Sequence, residues 1–193
     1  MARIVLWSGG MDSTLLLKQQ ASDFPNDQIN ALTVLQIGNS DGQIKSESKT
    51  RKNLLKKLPS NIKHDTVRVK TTYYHNTWQM PIWLGYLIPQ IQNGDIVCMG
   101  YLSSDGFDFW SHKEKLENAF KAHMKLMGND KAELTFPLQC YTKGNVIKEL
   151  KKYKLLKYCW YCGKPKNGKP CGKCTKCLSY KRWSIYPEVG EYV

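Results

Sequence analysis

Two groups of residues in this chain have types and spacings that could do chemistry, and they lie far apart in the sequence. The first is Ser8-Gly9-Gly10-Met11-Asp12-Ser13. Adjacent glycines permit a tight turn and let backbone N–H groups approach an anion, while the Ser hydroxyls add donors. A helix starting here would aim its positive end at the same spot. The chemistry is phosphate cradling. The loop has no lysine, which separates it from G-x-x-x-x-G-K-[ST], and its glycines are adjacent, which separates it from G-x-G-x-x-G. A plain helix cap after a flexible turn is the simpler use of such residues.

The second group is Cys159-x2-Cys162-x8-Cys171-x2-Cys174-x2-Cys177. Tight C-x-x-C steps bring thiolates within reach of one ion, and four thiolates make a tetrahedral structural zinc site. A redox pair would use Cys159 and Cys162 alone, and an iron–sulfur cluster could use the same thiolates. Three linked steps fit a metal better than a redox pair. Five cysteines exceed the four needed: Cys171, Cys174 and Cys177 belong to the set, and spacing leaves Cys159 and Cys162 both open as the fourth ligand. Cys98 and Cys140 read as ordinary thiols.

The elements that must position these residues follow a strand–helix rhythm. Residues 2–7 read as a short strand and Asp12 to Gln20 as a helix, with Ser8 to Ser13 at the junction. Ile29 to Ile37 is a second strand, and Ser46 to Leu58 is a Lys-rich amphipathic helix stopped by Pro59. Thr66 to Thr72 is a strand, Trp78 to Gln92 a helix and Asp95 to Tyr101 a near-continuous apolar strand of the kind buried on both faces. Lys113 to Met127, Glu133 to Leu138 and Lys143 to Tyr153 add a helix, a strand and a helix. The expected fold class is α/β: a doubly wound, mainly parallel sheet with a C-terminal four-cysteine zinc-binding segment. Ligands bind outside the carboxyl ends of the strands in such sheets, so the loops at Ser8 to Ser13, Ile37 to Gln43 and Tyr101 to Phe109 should converge. The segment after Cys159 is too rich in Gly, Pro and Lys to build its own core, so it needs a staple or a body to pack on.

At 193 residues, with 41% hydrophobic and 23% charged residues, the chain is an ordinary globular protein, neither disordered nor of low complexity. It contains no apolar run of transmembrane length and no signal-like N-terminus, so the expected location is the cytoplasm, where disulfides are disfavoured. The formal charge is +13, and its placement matters more than its size. Residues 143–182 hold 13 basic residues and one acid, Glu149, a local net of +12. A near-neutral body therefore carries a basic tail. The expected division is residues 1–158 as the body and residues 159–193 as the zinc-binding segment packed on it.

The loop S-G-G-x-D-S directly after the first strand resembles the signature of the N-type ATP pyrophosphatases, or PP-loop enzymes. That resemblance implies binding of ATP pyrophosphate at Ser8, Gly9, Gly10, Asp12 and Ser13, and adenylation of a substrate oxygen. Together with Cys162-x8-Cys171-Gly172-x-Cys174-x2-Cys177, the chain is similar to the 7-cyano-7-deazaguanine (preQ0) synthases. Their terminal segment reads roughly W-S-C-Y…C-G-x-C-x2-C, which implies Cys162, Cys171, Cys174 and Cys177 as ligands and Cys159 as the spare. Phe136-Pro137-Leu138 with Thr142-Lys143, Gly100…Asp105 and Asp41-Gly42-Gln43…Glu47 match further family segments. The chain departs where the family has P-x-R-N, here Met80-Pro81-Ile82-Trp83, and where it has Y-P-D-C-R, here Gly106-Phe107-Asp108-Phe109-Trp110. It resembles a short, divergent, phage-like member.

The resemblance implies ATP-dependent ligation. 7-Carboxy-7-deazaguanine is adenylated, ammonia converts the acyl adenylate to the amide, and a second ATP drives dehydration to the nitrile unless the enzyme stops at the amide. Asp12 and Asp105 become candidate holders of Mg²⁺ carried with ATP, and Lys143 a cation for phosphate or the intermediate. Trp83, Phe107, Phe109 and Trp110 could stack a deazapurine, although aromatics at a sheet end are commonly core. His112 and His123 have no partner at metal spacing. Homodimers are common among the enzymes it resembles, and the setting would be a bacterium or a phage-infected host. Two other readings use the same residues: a zinc-ribbon nucleic-acid binder, and a PP-loop enzyme that adenylates a tRNA base or a protein terminus. Nucleic acid is not required by the leading reading, and the basic tail leaves it open.

Overall fold

The computed structural model describes residues 2–37, 41–70, 79–105 and 107–185. Five parallel strands form one sheet: β1 (Arg3–Leu6), β2 (Ile29–Ile37), β3 (Ile62–Lys70), β4 (Ile96–Cys98) and β5 (Glu133–Thr135), in the order β3-β2-β1-β4-β5. Among the described residues, six α-helices connect and cover them: α1 (Met11–Asp23), α2 (Asp41–Leu55), α3 (Gln79–Leu87), α4 (Phe107–Leu126), α5 (Lys143–Lys152) and α6 (Thr175–Ile185). The register puts Val5 beside Ala31 on one side and beside Cys98 on the other. The chain reverses its direction of strand addition between β1 and β4, and a crevice opens at such a switch point.

Side chains alternate across the sheet, and each face has its own core. Val5 and Cys98 pack with Leu15, Leu16, Leu54 and Val146, so α1, α2 and α5 cover one face. Ile4 and Val97 pack with Leu87, Phe120 and Met124, so α3 and α4 cover the other. The doubly wound α/β reading therefore holds.

Several boundaries differ from the sequence-based ones. α2 starts at Asp41 rather than Ser46, so Gly42 and Gln43 are helical and not part of a ligand loop. α4 starts at Phe107 rather than Lys113, which places Trp110 and His112 on the helix. α3 ends at Leu87 and tightens into a 3₁₀ turn at Ile88–Gln90, where Pro89 lacks the N–H that an α-helical bond needs. Helix α6 is not among the expected elements, since the segment after Cys159 is too rich in Gly, Pro and Lys to build its own core. The expected strand end at Thr72, the helix start at Trp78 and the loop residues 38–40 lie outside the described residues. Among the described residues no helix is long and apolar enough to cross a membrane.

Candidate functional site

The loop of Ser8 to Ser13, the expected phosphate cradle, joins β1 to α1. Gly9 adopts φ +85°, and a Cβ there would lie 2.9 Å from Cγ of Arg51. Only glycine fits both conditions without strain. Gly10 is extended (φ −74°, ψ 171°) and caps α1 with no side-chain bond of its own. Ser8 and Ser13 close the loop: their hydroxyls lie 3.1 Å apart, Ser8 N–H donates to Ser13 Oγ at 3.2 Å, and Gly10 N–H donates to Ser8 Oγ at 3.1 Å. Below it, buried Trp7 donates from Nε1 to Thr14 Oγ1 at 3.0 Å and fixes the loop on the core.

Asp12 lies in the first turn of α1. Both its oxygens accept from Lys143 Nζ at 2.7 Å across 131 residues of sequence. Lys143 is buried, and its ammonium also stands 5.2 Å from the ring of Trp183. A capping box fixes its position: Asn145 N–H donates to Thr142 Oγ1 while Thr142 N–H donates to Asn145 Oδ1, so α5 begins at Lys143. Asp105 ends the loop after β4, where its Oδ2 accepts from Leu102 N–H at 2.7 Å. Gly100 in that loop presses against α1, since a Cβ there would meet the Asp12 carbonyl carbon and the Ser13 nitrogen at 3.3 Å.

Two cavities meet at this loop. The first, about 390 Å³, runs over the ends of β1 and β2 past Leu32, Thr33 and Val34, with Trp83 and Tyr101 on its far wall. The second, about 360 Å³, lies between the loop and the C-terminal segment and is walled by Lys143, Trp160, Lys176 and Trp183. Ser8, Gly10, Asp12, Glu47 and Asp105 line both. Burial pushes the Tyr101 phenol up to about 12, with Asp105 adding to the shift, so it stays neutral.

Arg51 is the residue that sequence reading missed. It is 2% exposed, donates from Nη1 to Ser8 O at 2.8 Å and stands 3.8 Å from Glu47. Burial lowers its pKa, and Glu47 acts in the opposite direction. The clue was present: Arg51 precedes buried Leu54 by three residues, so a charge occupies the apolar stripe of α2. Trp160 and Trp183 were likewise given no site role.

The cysteine segment is tied to the loop by backbone, with Trp160 N–H donating to Gly9 O at 2.9 Å. The sulfurs of Cys162, Cys171, Cys174 and Cys177 all lie within 4.8 Å of one another and could hold a metal ion. The Cys162–Cys174 and Cys171–Cys177 sulfurs are each 3.9 Å apart. Backbone N–H groups of Cys177 and Gly163 bring the Cys174 thiol down to about 6, whereas burial pushes the neighbouring Cys177 thiol up to about 12. Cys159 is elsewhere: it is buried in the core, its thiol donates to Leu155 O, and burial pushes it up to about 12. The stacked rings of Tyr161 and Tyr180, 3.8 Å apart, join this segment to α6.

The structure thus brings Ser8, Gly9, Gly10, Asp12, Ser13, Asp105 and Lys143 into one crevice and the four named cysteines into one cluster beside it. Of the candidate stacking aromatics, Trp83 lines the first cavity, whereas Trp110 donates to Leu102 O at 2.8 Å and packs on Phe136. The side chains of Phe107 and Phe109 lie outside the described residues. His112 and His123 are exposed on α4.

No family model and no curated protein matches the chain. Among solved structures it is similar to the U34-tRNA thiolase NcsA from Methanococcus maripaludis, solved with its [4Fe-4S] cluster. The match has a TM-score of 0.56 at 13% identity and covers 96% of this chain and 67% of the thiolase. The likeness is one of fold, a doubly wound, mainly parallel α/β sheet of the adenine nucleotide alpha-hydrolase-like kind.

Proposed function

We propose that this chain is a PP-loop enzyme that uses ATP to adenylate a carboxylic acid, 7-carboxy-7-deazaguanine, and passes the acyl group to ammonia. The observation that carries this reading is the pair of cavities meeting at Ser8, Gly10, Asp12 and Asp105. A nucleoside in the first cavity and an acid in the second would meet at the α-phosphate. The strand ends of the first offer apolar walls and backbone groups, while the second offers two lysines and two indole rings.

The acid's carboxylate oxygen attacks the α-phosphorus and pyrophosphate leaves. Ammonia then attacks the acyl carbon and AMP leaves, giving the amide. In the second round the amide oxygen is adenylated in turn, and loss of AMP with the nitrogen's protons gives the nitrile. The protein's work is positioning and charge neutralisation. The Gly9 and Gly10 amides and the Ser8 and Ser13 hydroxyls hold the departing pyrophosphate. Lys143, kept in place by Asp12, faces the acid cavity and offsets charge on the acyl oxygen. Asp12 and Asp105 are the carboxylates that would hold Mg²⁺, which supplies further charge neutralisation on the phosphates.

At the cysteine cluster the spacing favours zinc. One tetrahedral zinc with Zn–S near 2.3 Å separates its sulfurs by about 3.8 Å, close to the 3.9 Å between the two pairs. A four-iron cluster gives each thiolate its own iron and spreads the sulfurs farther.

The test is pyrophosphate and AMP release from ATP with 7-carboxy-7-deazaguanine and ammonium, with mass spectrometry of the product. Release that depends on the acid, with amide or nitrile formed, supports the reading. No acid-dependent release overturns it.

A further inference from the structure

The proposed reaction uses Lys143 and the wall at Lys176, and leaves the rest of the basic tail without a task. Of the 13 basic residues between 143 and 182, twelve are exposed and only Lys143 is buried. Among the described residues, Lys152 is the one exposed cation of this tail paired with a carboxylate, Glu149 at 3.9 Å, and it remains 70% exposed. Such a surface repels itself and gains stability from a polyanion.

The cations stand on connected elements. Lys148, Lys151 and Lys152 belong to α5, which packs on α6 with its Lys176, Lys181 and Arg182. Lys164, Lys166 and Lys169 surround the cysteine cluster, where Lys166 and Lys169 form a two-way antiparallel bridge. Lys176 lines the second cavity, so the charged surface runs to the rim of the site.

We infer that this face docks RNA, with an unpaired loop held at the rim of the second cavity, outside the space given to the acid. Three features select that occupant. Twelve of the 13 cations are lysines, point charges suited to phosphate without reading bases. Trp160 and Trp183, both half-buried, line the cavity among them, and flat rings beside cations are what unstacked bases bind. A lipid surface would instead want several protruding apolar side chains. Within the described part of this tail, Leu178 at 55% exposure is the one large exposed hydrophobe. Unpaired loops are the ordinary state of folded RNA, whereas DNA shows them only when melted.

The inference goes beyond the acid-ligating reading, and each can fail without the other. The experiment uses the full chain with its metal and a fluorescent stem-loop RNA of roughly 20 nucleotides. Duplex DNA of the same length and phosphatidylserine vesicles serve as rivals. RNA is expected to bind best, with affinity falling roughly 10³-fold between about 50 and 200 mM salt for about six neutralised phosphates, as their released counterions compete. The variants Lys148→Glu/Lys151→Glu/Lys152→Glu and Lys164→Glu/Lys166→Glu/Lys169→Glu should each weaken RNA at least about tenfold. Both should keep their metal and their acid-dependent pyrophosphate release. Glutamine versions at the same positions give the same reading if charge reversal harms folding. Unchanged RNA affinity in folded variants, a salt-independent affinity, or tighter binding of duplex DNA or vesicles overturns the inference.

Discussion

Asp12 is the residue where the phosphate loop and the basic tail meet, and its carboxylate has a structural duty as well as a chemical one. It neutralises a lysine that is 8% exposed. Asp12→Asn keeps the size and removes the charge. Pyrophosphate release should fall by about 10² or more, with far-UV circular dichroism unchanged and a stability loss of about 2 kcal/mol from the unpaired ammonium. Gly9 is a second point of tension. Gly9→Ala places a methyl at φ +85° against Arg51, and should cost about 2 kcal/mol, seen as a melting point lower by about 4–8 °C. Gly9→Ala/Arg51→Ala removes the collision and keeps the backbone strain, so its loss should be smaller than the two single losses combined. Cys159 sets an alkaline limit. Its thiol is about 9 when unfolded and about 12 when folded, so its contribution is complete below pH 9. It then declines as pH rises toward 12, by roughly 1.4 kcal/mol per pH unit. Thermal melts of the Cys159→Ala variant from pH 8 to 11 should lack that part of the decline.

Among the elements, the C-terminal segment shows best what a sequence conceals. The strand–helix rhythm was readable because buried parallel strands are short apolar runs and covering helices are periodic. β2 was placed at both ends, since Ile29 and Ile37 bound a mostly apolar run interrupted only by Asn30, Thr33 and Gln36. Helix α6 was not readable, because its residues have no core of their own and depend on the cysteines and on Tyr161 stacking on Tyr180. Arg51 was overlooked for a related reason: a cation within an apolar stripe reads as surface until the loop it supports folds over it. The cysteine spacing narrowed the ligands to five and no further, and the fold separates them by sending Cys159 inward. Cys162→Ser should therefore lose most of the bound metal by elemental analysis, while Cys159→Ser should retain it. Equal metal in the two would refute the ligand set.

At the scale of the whole molecule, the second cavity has one wall from the sheet's switch point and one from the cysteine-bearing segment. Removing the metal with a strong chelator should release the second wall and leave the first. The expected result is loss of acid-dependent pyrophosphate release and a change in tryptophan fluorescence from Trp160 and Trp183, with the sheet's circular dichroism largely kept. Loss of all secondary structure on chelation would instead mean that the staple holds the entire fold. The bond from Trp160 to Gly9 also has a consequence during synthesis. A ribosome makes the phosphate loop first and the segment that closes the site more than a hundred residues later. Until that segment emerges, the loop after β1 lacks the wall that Trp160, Lys176 and Trp183 give the second cavity. On the proposed reading, a chain lacking that segment would have no place for an acceptor, and taking up the metal would complete the site.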